Sequence, residues 1–158
     1  MFNKEKRNLL YLLSSVLFGT GFALYYNLFS FSIFLLIAYI VLTYYSKELI
    51  KHYVNNRTHN SILIAFEILI LIILLYLALS YSWLLLIVLA VTSLLLQIQR
   101  LFIYFDLHRM YNYLAIVLYI GVMNSLAFYI HTQFISSVVV YSLIPIVLLF
   151  LVLKRRTD

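Results

Sequence analysis

The run SILIAFEILILIILLYLAL at 61–79 constrains this chain more than any other stretch, since its nineteen residues include one ionisable side chain, Glu67. Such a run is far longer than a strand of about 3–10 residues, and a surface helix would carry a polar face. Crossing ~30 Å of hydrocarbon at ~1.5 Å per residue takes about 20 mostly apolar residues. Five further stretches meet that requirement, at 9–26, 28–45, 81–98, 110–130 and 133–153. The chain of 158 residues is 66% hydrophobic and 10% charged, with a mean hydropathy of +1.06. Soluble domains hold about 45–50% apolar and about 25% charged residues. The expected fold is therefore an all-α polytopic membrane protein, a single domain over 1–158 of six transmembrane helices arranged as three antiparallel hairpins.

Charge placement orients it. Lys4, Lys6 and Arg7 precede the first span, Lys47, Lys51 and Arg57 follow the second, Arg100 and Arg109 follow the fourth, and Lys154, Arg155 and Arg156 follow the sixth. The connections around Asn27, Ser80 and Thr132 carry none. The positive-inside rule reads this alternation as both termini in the cytoplasm, and reads the net charge of +6 as a membrane-side marker rather than a nucleic-acid surface. Tyr25, Tyr26, Tyr81, Trp83 and Tyr129 would form the outer aromatic belt, and Tyr44, Tyr45, Tyr104 and Tyr111 the inner one. The first span is expected to serve as a retained signal anchor. The triplet Asn56-Arg57-Thr58 fits a glycosylation acceptor but falls on the cytoplasmic side. Richness in Ile, Leu, Tyr, Phe and Asn together with short loops suggests a bacterial plasma membrane.

Asn8, Asn60 and Asn112 recur every 52 residues near the starts of the odd-numbered spans, which predicts helix caps and a hairpin repeated three times. In that register Glu67 corresponds to Ser15 and Tyr119.

Glu67 lies about six residues, or ~9 Å, into its span, too deep for a short side chain to reach water easily. It is accommodated there either as a neutral acid donating a hydrogen bond or by partners on neighbouring helices. Ser15, Glu67, Ser93 and Gln97 fall at similar depth and form the first candidate site, an intramembrane polar layer. It would act as a proton or cation relay or, on the favoured reading, as a helix-packing contact. A second candidate is the outer face of Asn124, Phe128 and His131, spaced i, i+4, i+7 on one helix side. It would line a small pocket for a polar solute or form a solvated interface. Ser15, Gly19 and Ala23 make a small-residue packing stripe, directed within the bundle or toward a partner protein. Pro145 predicts a kink in the last span.

Catalytic equipment is sparse. The absence of cysteine excludes disulfides, thiolate nucleophiles and iron–sulfur clusters. His52, His59 and His108 lack the spacing of metal ligands, and Ser125 and His131 lie on opposite helix faces with no orienting acid. Neither G-x-S-x-G nor H-E-x-x-H occurs. Three Gly and one Pro argue against the broken helices of transporters. The expectation is a non-enzymatic bundle without metal or cofactor, surrounded by the lipid bilayer. It would act by contact with another membrane protein as an accessory subunit, assembly factor or toxin-immunity protein. The alternative is a small-solute binding or permeation protein using Glu67 or the Asn124/His131 face.

Overall fold

The computed structural model describes residues 4–26, 28–52 and 60–155, which form helices joined by short turns, with no strand among them. Asn27, the Asn56-Arg57-Thr58 triplet, His59 and Arg156 lie outside the described residues. In chain order the elements are α1 (Lys4–Tyr25), α2 (Ile33–His52), α3 (Asn60–Ser80), α4 (Trp83–Gln97), α5 (Gln99–Tyr104), α6 (His108–Ile116), a π-helical segment (Val117–Val122), α7 (Met123–Thr132) and α8 (Ser137–Arg155). Among the described residues, Ser61–Ser80 and Arg109–Thr132 are long and apolar enough to cross a membrane. Tyr11–Tyr25, Ile33–Lys47, Trp83–Gln97 and Ser137–Leu153 are shorter apolar helical stretches.

Two helix starts differ from the sequence reading, each for a local reason. The second helix begins at Ile33 rather than 28, because a serine turn intervenes. Ser32 N–H donates to Ser30 Oγ at 3.3 Å, and Ile33 N–H donates to the Ser30 carbonyl at 3.3 Å. Short hydroxyl side chains offer the backbone such alternatives to a helix. The last helix begins at Ser137 because Gln133 takes a left-handed conformation (φ 59°), its N–H closing α7 on the Tyr129 carbonyl at 2.7 Å. A side chain in that region carries a penalty that glycine escapes. Since Gln133 is exposed, Gln133→Gly is expected to raise stability by about 0.5–1 kcal/mol. A lowered unfolding midpoint in detergent would count against this account of the turn.

The chain divides into two compact units, Met1–Ile33 with Asn112–Asp158, and Phe34–Tyr111. The first predicted hairpin is thereby divided: α1 groups with α7 and α8, and α2 groups with α3 and α4. In the first unit, Ala23 of α1, Phe128 of α7 and Val139 and Leu143 of α8 form a buried core, with Phe22 and Ile146 packed against it. At the other end of α1, Tyr11 meets Tyr119 edge to face, ring centroids 5.6 Å apart. In the second unit α3 runs along α4, and Leu36 and Ile40 of α2, Ile70 and Leu77 of α3, and Leu85 and Leu89 of α4 are buried.

The asparagine caps are also corrected. Asn8 and Asn112 lie inside α1 and α6, whose first turns start earlier, and Asn60 is the first residue of α3. Asn8 and Asn112 each stand fifth in their helix, whereas Asn60 opens α3, and among the described residues only the stretch after α6 contains a π segment. Pro145 sits inside α8, which continues through it as one helix although proline supplies no amide to the Tyr141 carbonyl.

Candidate functional site

In the second unit three helices meet at one carboxyl oxygen. Ser46 Oγ of α2 donates to Glu67 Oε1 of α3 at 2.5 Å, and Gln97 Nε2 of α4 donates to the same oxygen at 2.8 Å. Each donor satisfies a polar group that an apolar surrounding would otherwise leave costly. Ser93 lies one turn before Gln97 on the same side of α4 and is buried. Ser15 belongs to the first unit, where its hydroxyl donates to the Leu12 carbonyl of its own helix.

Two further ties hold this unit. Tyr39 Oη donates to the Leu89 carbonyl at 2.7 Å, joining α2 to α4. Tyr111 Oη donates to the Leu96 carbonyl at 2.7 Å, joining the first turn of α6 to α4. The Lys47 ammonium lies 5.6 Å from the ring centroids of both Tyr44 and Tyr111, within cation–π range. Sequence reasoning missed Ser46 because it ended the second span at 45. With α2 starting at Ile33 and running on, Ser46 falls well inside the helix.

In the first unit, the Asn124 amide is inserted against the backbone of α1. Its Oδ1 accepts from Gly19 N–H at 2.9 Å, and its Nδ2 donates to the carbonyls of Ser14 at 2.9 Å and Ile120 at 2.8 Å. Both amide hydrogens and the oxygen are thus engaged. The approach requires glycine: a Cβ on Gly19 would stand 2.0 Å from the Asn124 carbonyl oxygen and 3.0 Å from Ala127 Cβ. The Ser15, Gly19, Ala23 stripe is therefore an internal packing face, with Ser15 and Ala23 fully buried. Its counterpart is the face predicted from Asn124, Phe128 and His131, whose exposures are 0%, 1% and 7%.

The three side chains of that face are buried against their own unit rather than turned outward. Small residues let α1 close directly on α7 and exclude anything between them. At its end, His131 Nδ1 accepts from Ser30 N–H at 2.8 Å, and the Phe29 ring stacks on the imidazole at 5.3 Å. Tyr26 and Phe134 pack against Phe128 edge to face. Ser125, predicted on the opposite side, donates to the Gly121 carbonyl of its own helical turn.

Among the described residues no cluster of three His, Asp or Glu could hold a metal ion. What the two nodes define is a class: an all-helical, strongly apolar protein in which Glu67 and Asn124 are each tied to side chains or backbone groups of their own unit. No protein-family model, curated protein or solved structure matches the chain.

Proposed function

We propose that the chain is an integral membrane protein that crosses the bilayer repeatedly and acts by contact with another membrane protein, as an accessory subunit, assembly factor or toxin-immunity protein. Membrane embedding is supported by large aliphatic side chains that stand outward on α1, α3, α4 and α8, with Phe34 and Tyr45 outward on α2. Leu17 is 61% exposed, Ile64 58%, Leu79 78%, Leu84 61% and Leu149 57%. Apolar surface on that scale is incompatible with water around a monomer. Lengths support it too: α1 has 22 residues, α2 20, α3 21 and α8 19, or roughly 28–33 Å each at ~1.5 Å per residue. Basic residues at alternate boundaries favour both termini in the cytoplasm, and composition favours a bacterial plasma membrane.

The observation that carries the contact reading is the internal use of the polar groups. Glu67 is engaged by Ser46 and Gln97, and Asn124 by Ser14, Gly19 and Ile120. The surface left for work inside the bilayer is aliphatic and aromatic, and such a surface recognises by packing. Affinity capture from native membranes in mild detergent, followed by native mass spectrometry, tests this. A stoichiometric membrane-protein partner is the expected result, and a chain that remains monomeric and partnerless in its own membrane would sink the proposal.

Glu67 separates this reading from solute binding or permeation. Glu67→Gln keeps an acceptor for Ser46 and Gln97, so its stability should stay within about 1 kcal/mol of the parent and partner capture should persist. Glu67→Leu removes that acceptor and should cost about 1–3 kcal/mol by stranding two donors. If Glu67→Gln folds normally but abolishes a solute-dependent thermal shift, the solute reading gains and the contact reading loses.

A further inference from the structure

We propose that His131 is a proton-operated latch on the strap at 28–32, holding it when neutral and releasing it when protonated. The strap is the covalent lead from α1 into α2; Leu28 N–H ties its start to the Ala23 carbonyl at 3.2 Å, and two contacts with one imidazole hold its middle. Ser30 N–H donates to Nδ1 at 2.8 Å, and Phe29 stacks on the ring at 5.3 Å with 29° between planes. An imidazole nitrogen accepts a hydrogen bond only with its lone pair free, so the latched state requires neutral His131 with its proton on Nε2. That Nε2 is itself buried without a hydrogen-bond partner. Protonation would turn Nδ1 into a second donor, set against the Ser30 N–H.

Among the described side chains of this unit there is no Asp or Glu to receive the imidazolium. The titratable neighbours on the enclosing elements are phenols: Tyr25 and Tyr26 at the end of α1 and Tyr129 on α7, with none on the strap. The acidic residues of this unit's sequence are Glu5 and Asp158, and its basic ones are Lys4, Lys6, Arg7, Lys154, Arg155 and Arg156. Lys4, Glu5, Lys6 and Arg7 fall in the first turns of α1 and Lys154 and Arg155 in the last turn of α8, roughly 25–30 Å along those helices from their other ends, while Arg156 and Asp158 lie outside the described residues. One aromatic face does not replace the hydration lost by a buried cation, and Phe29 travels with the strap. Opening the strap hydrates the charge and frees the Ser30 amide to find water.

The test uses the full chain in lipid nanodiscs, with ¹⁵N-labelled histidine and serine followed by NMR from about pH 8 to about pH 5, the range in which histidine switches. The expected result is that His131 passes from the Nε2–H tautomer to imidazolium while the Ser30 amide loses its hydrogen-bonded shift and its exchange protection, corrected for intrinsic rate, in the same titration. His131→Asn offers a non-titrating acceptor near the Nδ1 position and should keep Ser30 protected at every pH. His131→Phe keeps an aromatic ring against Phe29 but no acceptor, and should leave Ser30 unprotected throughout. A Ser30 amide that stays protected beside an imidazolium, a His131 that stays neutral to the acid limit, or His131→Asn losing protection at the parent's pH would each overturn the latch. Should His131→Phe fail to fold, the comparison of His131→Asn with the parent still decides.

Discussion

Gly19→Ala is expected to lower stability by about 3 kcal/mol or more, the upper end for overpacking, because the added methyl meets backbone rather than a movable side chain. Its Cβ would lie 2.0 Å from the Asn124 carbonyl oxygen, so α1 must separate from α7. Separation would also stretch the Asn124 bonds to Gly19 and Ser14. The same substitution elsewhere supplies the control. A Cβ on Gly21 meets nothing within 4 Å, and Gly21→Ala should gain about 0.5–1 kcal/mol from the better helix former. Gly121→Ala meets Val147 at an ordinary 3.5 Å and should be tolerated. Denaturation midpoints of the three variants in one detergent check this ordering. Equal midpoints for Gly19→Ala and Gly21→Ala would mean that the first unit does not rest on the close approach of α1 to α7.

Asn124→Leu should cost about 2–4 kcal/mol, taking three hydrogen bonds at roughly 0.6–2 kcal/mol each and allowing for partial repair by the α1 backbone. The side chains have the same number of heavy atoms, so no cavity is left; the loss reports hydrogen bonding together with the extra room that two methyl groups need. Asn124→Asp should be worse than its shape suggests, since it sets a carboxyl oxygen against the carbonyls of Ser14 and Ile120, which now receive amide hydrogens. Combined with Gly19→Ala, Asn124→Leu should cost less than the sum, because the clash has already displaced the partners that Asn124 contacts. The clash itself should persist, since it involves the backbone oxygen of residue 124. A fully additive pair would show that the two residues do not share one contact, contrary to the geometry.

Some of the polar architecture was legible because it involves pairs of side chains. Glu67 and Gln97 were matched by depth along two helices, an inference that needs only rise per residue. Ser46 was lost to a five-residue error in the start of α2, and that error arose from the serine turn at Ser30 and Ser32. Asn124, Phe128 and His131 were placed on one helix face by spacing alone, but their burial against α1 and the strap was not foreseen. The signal for that burial was present in the Gly19 stripe, whose small residues need a close partner; nothing in the sequence said that the partner was α7.

The sequence by itself determined the helical class and the positions where polar residues enter apolar helices, because hydrophobic length and backbone propensity are local properties. Tertiary structure alone decided which faces meet. On an aliphatic helix one Leu or Ile is nearly interchangeable with the next, so rotation about the axis leaves little trace in composition or period. Rotation is fixed instead by a few polar side chains, and most of their partners are main-chain groups: Gly19 N–H, Ser14 C=O and Ile120 C=O for Asn124, Ser30 N–H for His131, Leu89 C=O for Tyr39 and Leu96 C=O for Tyr111. Every non-proline residue offers the same main-chain donor and acceptor, so only the folded chain shows which of them is used.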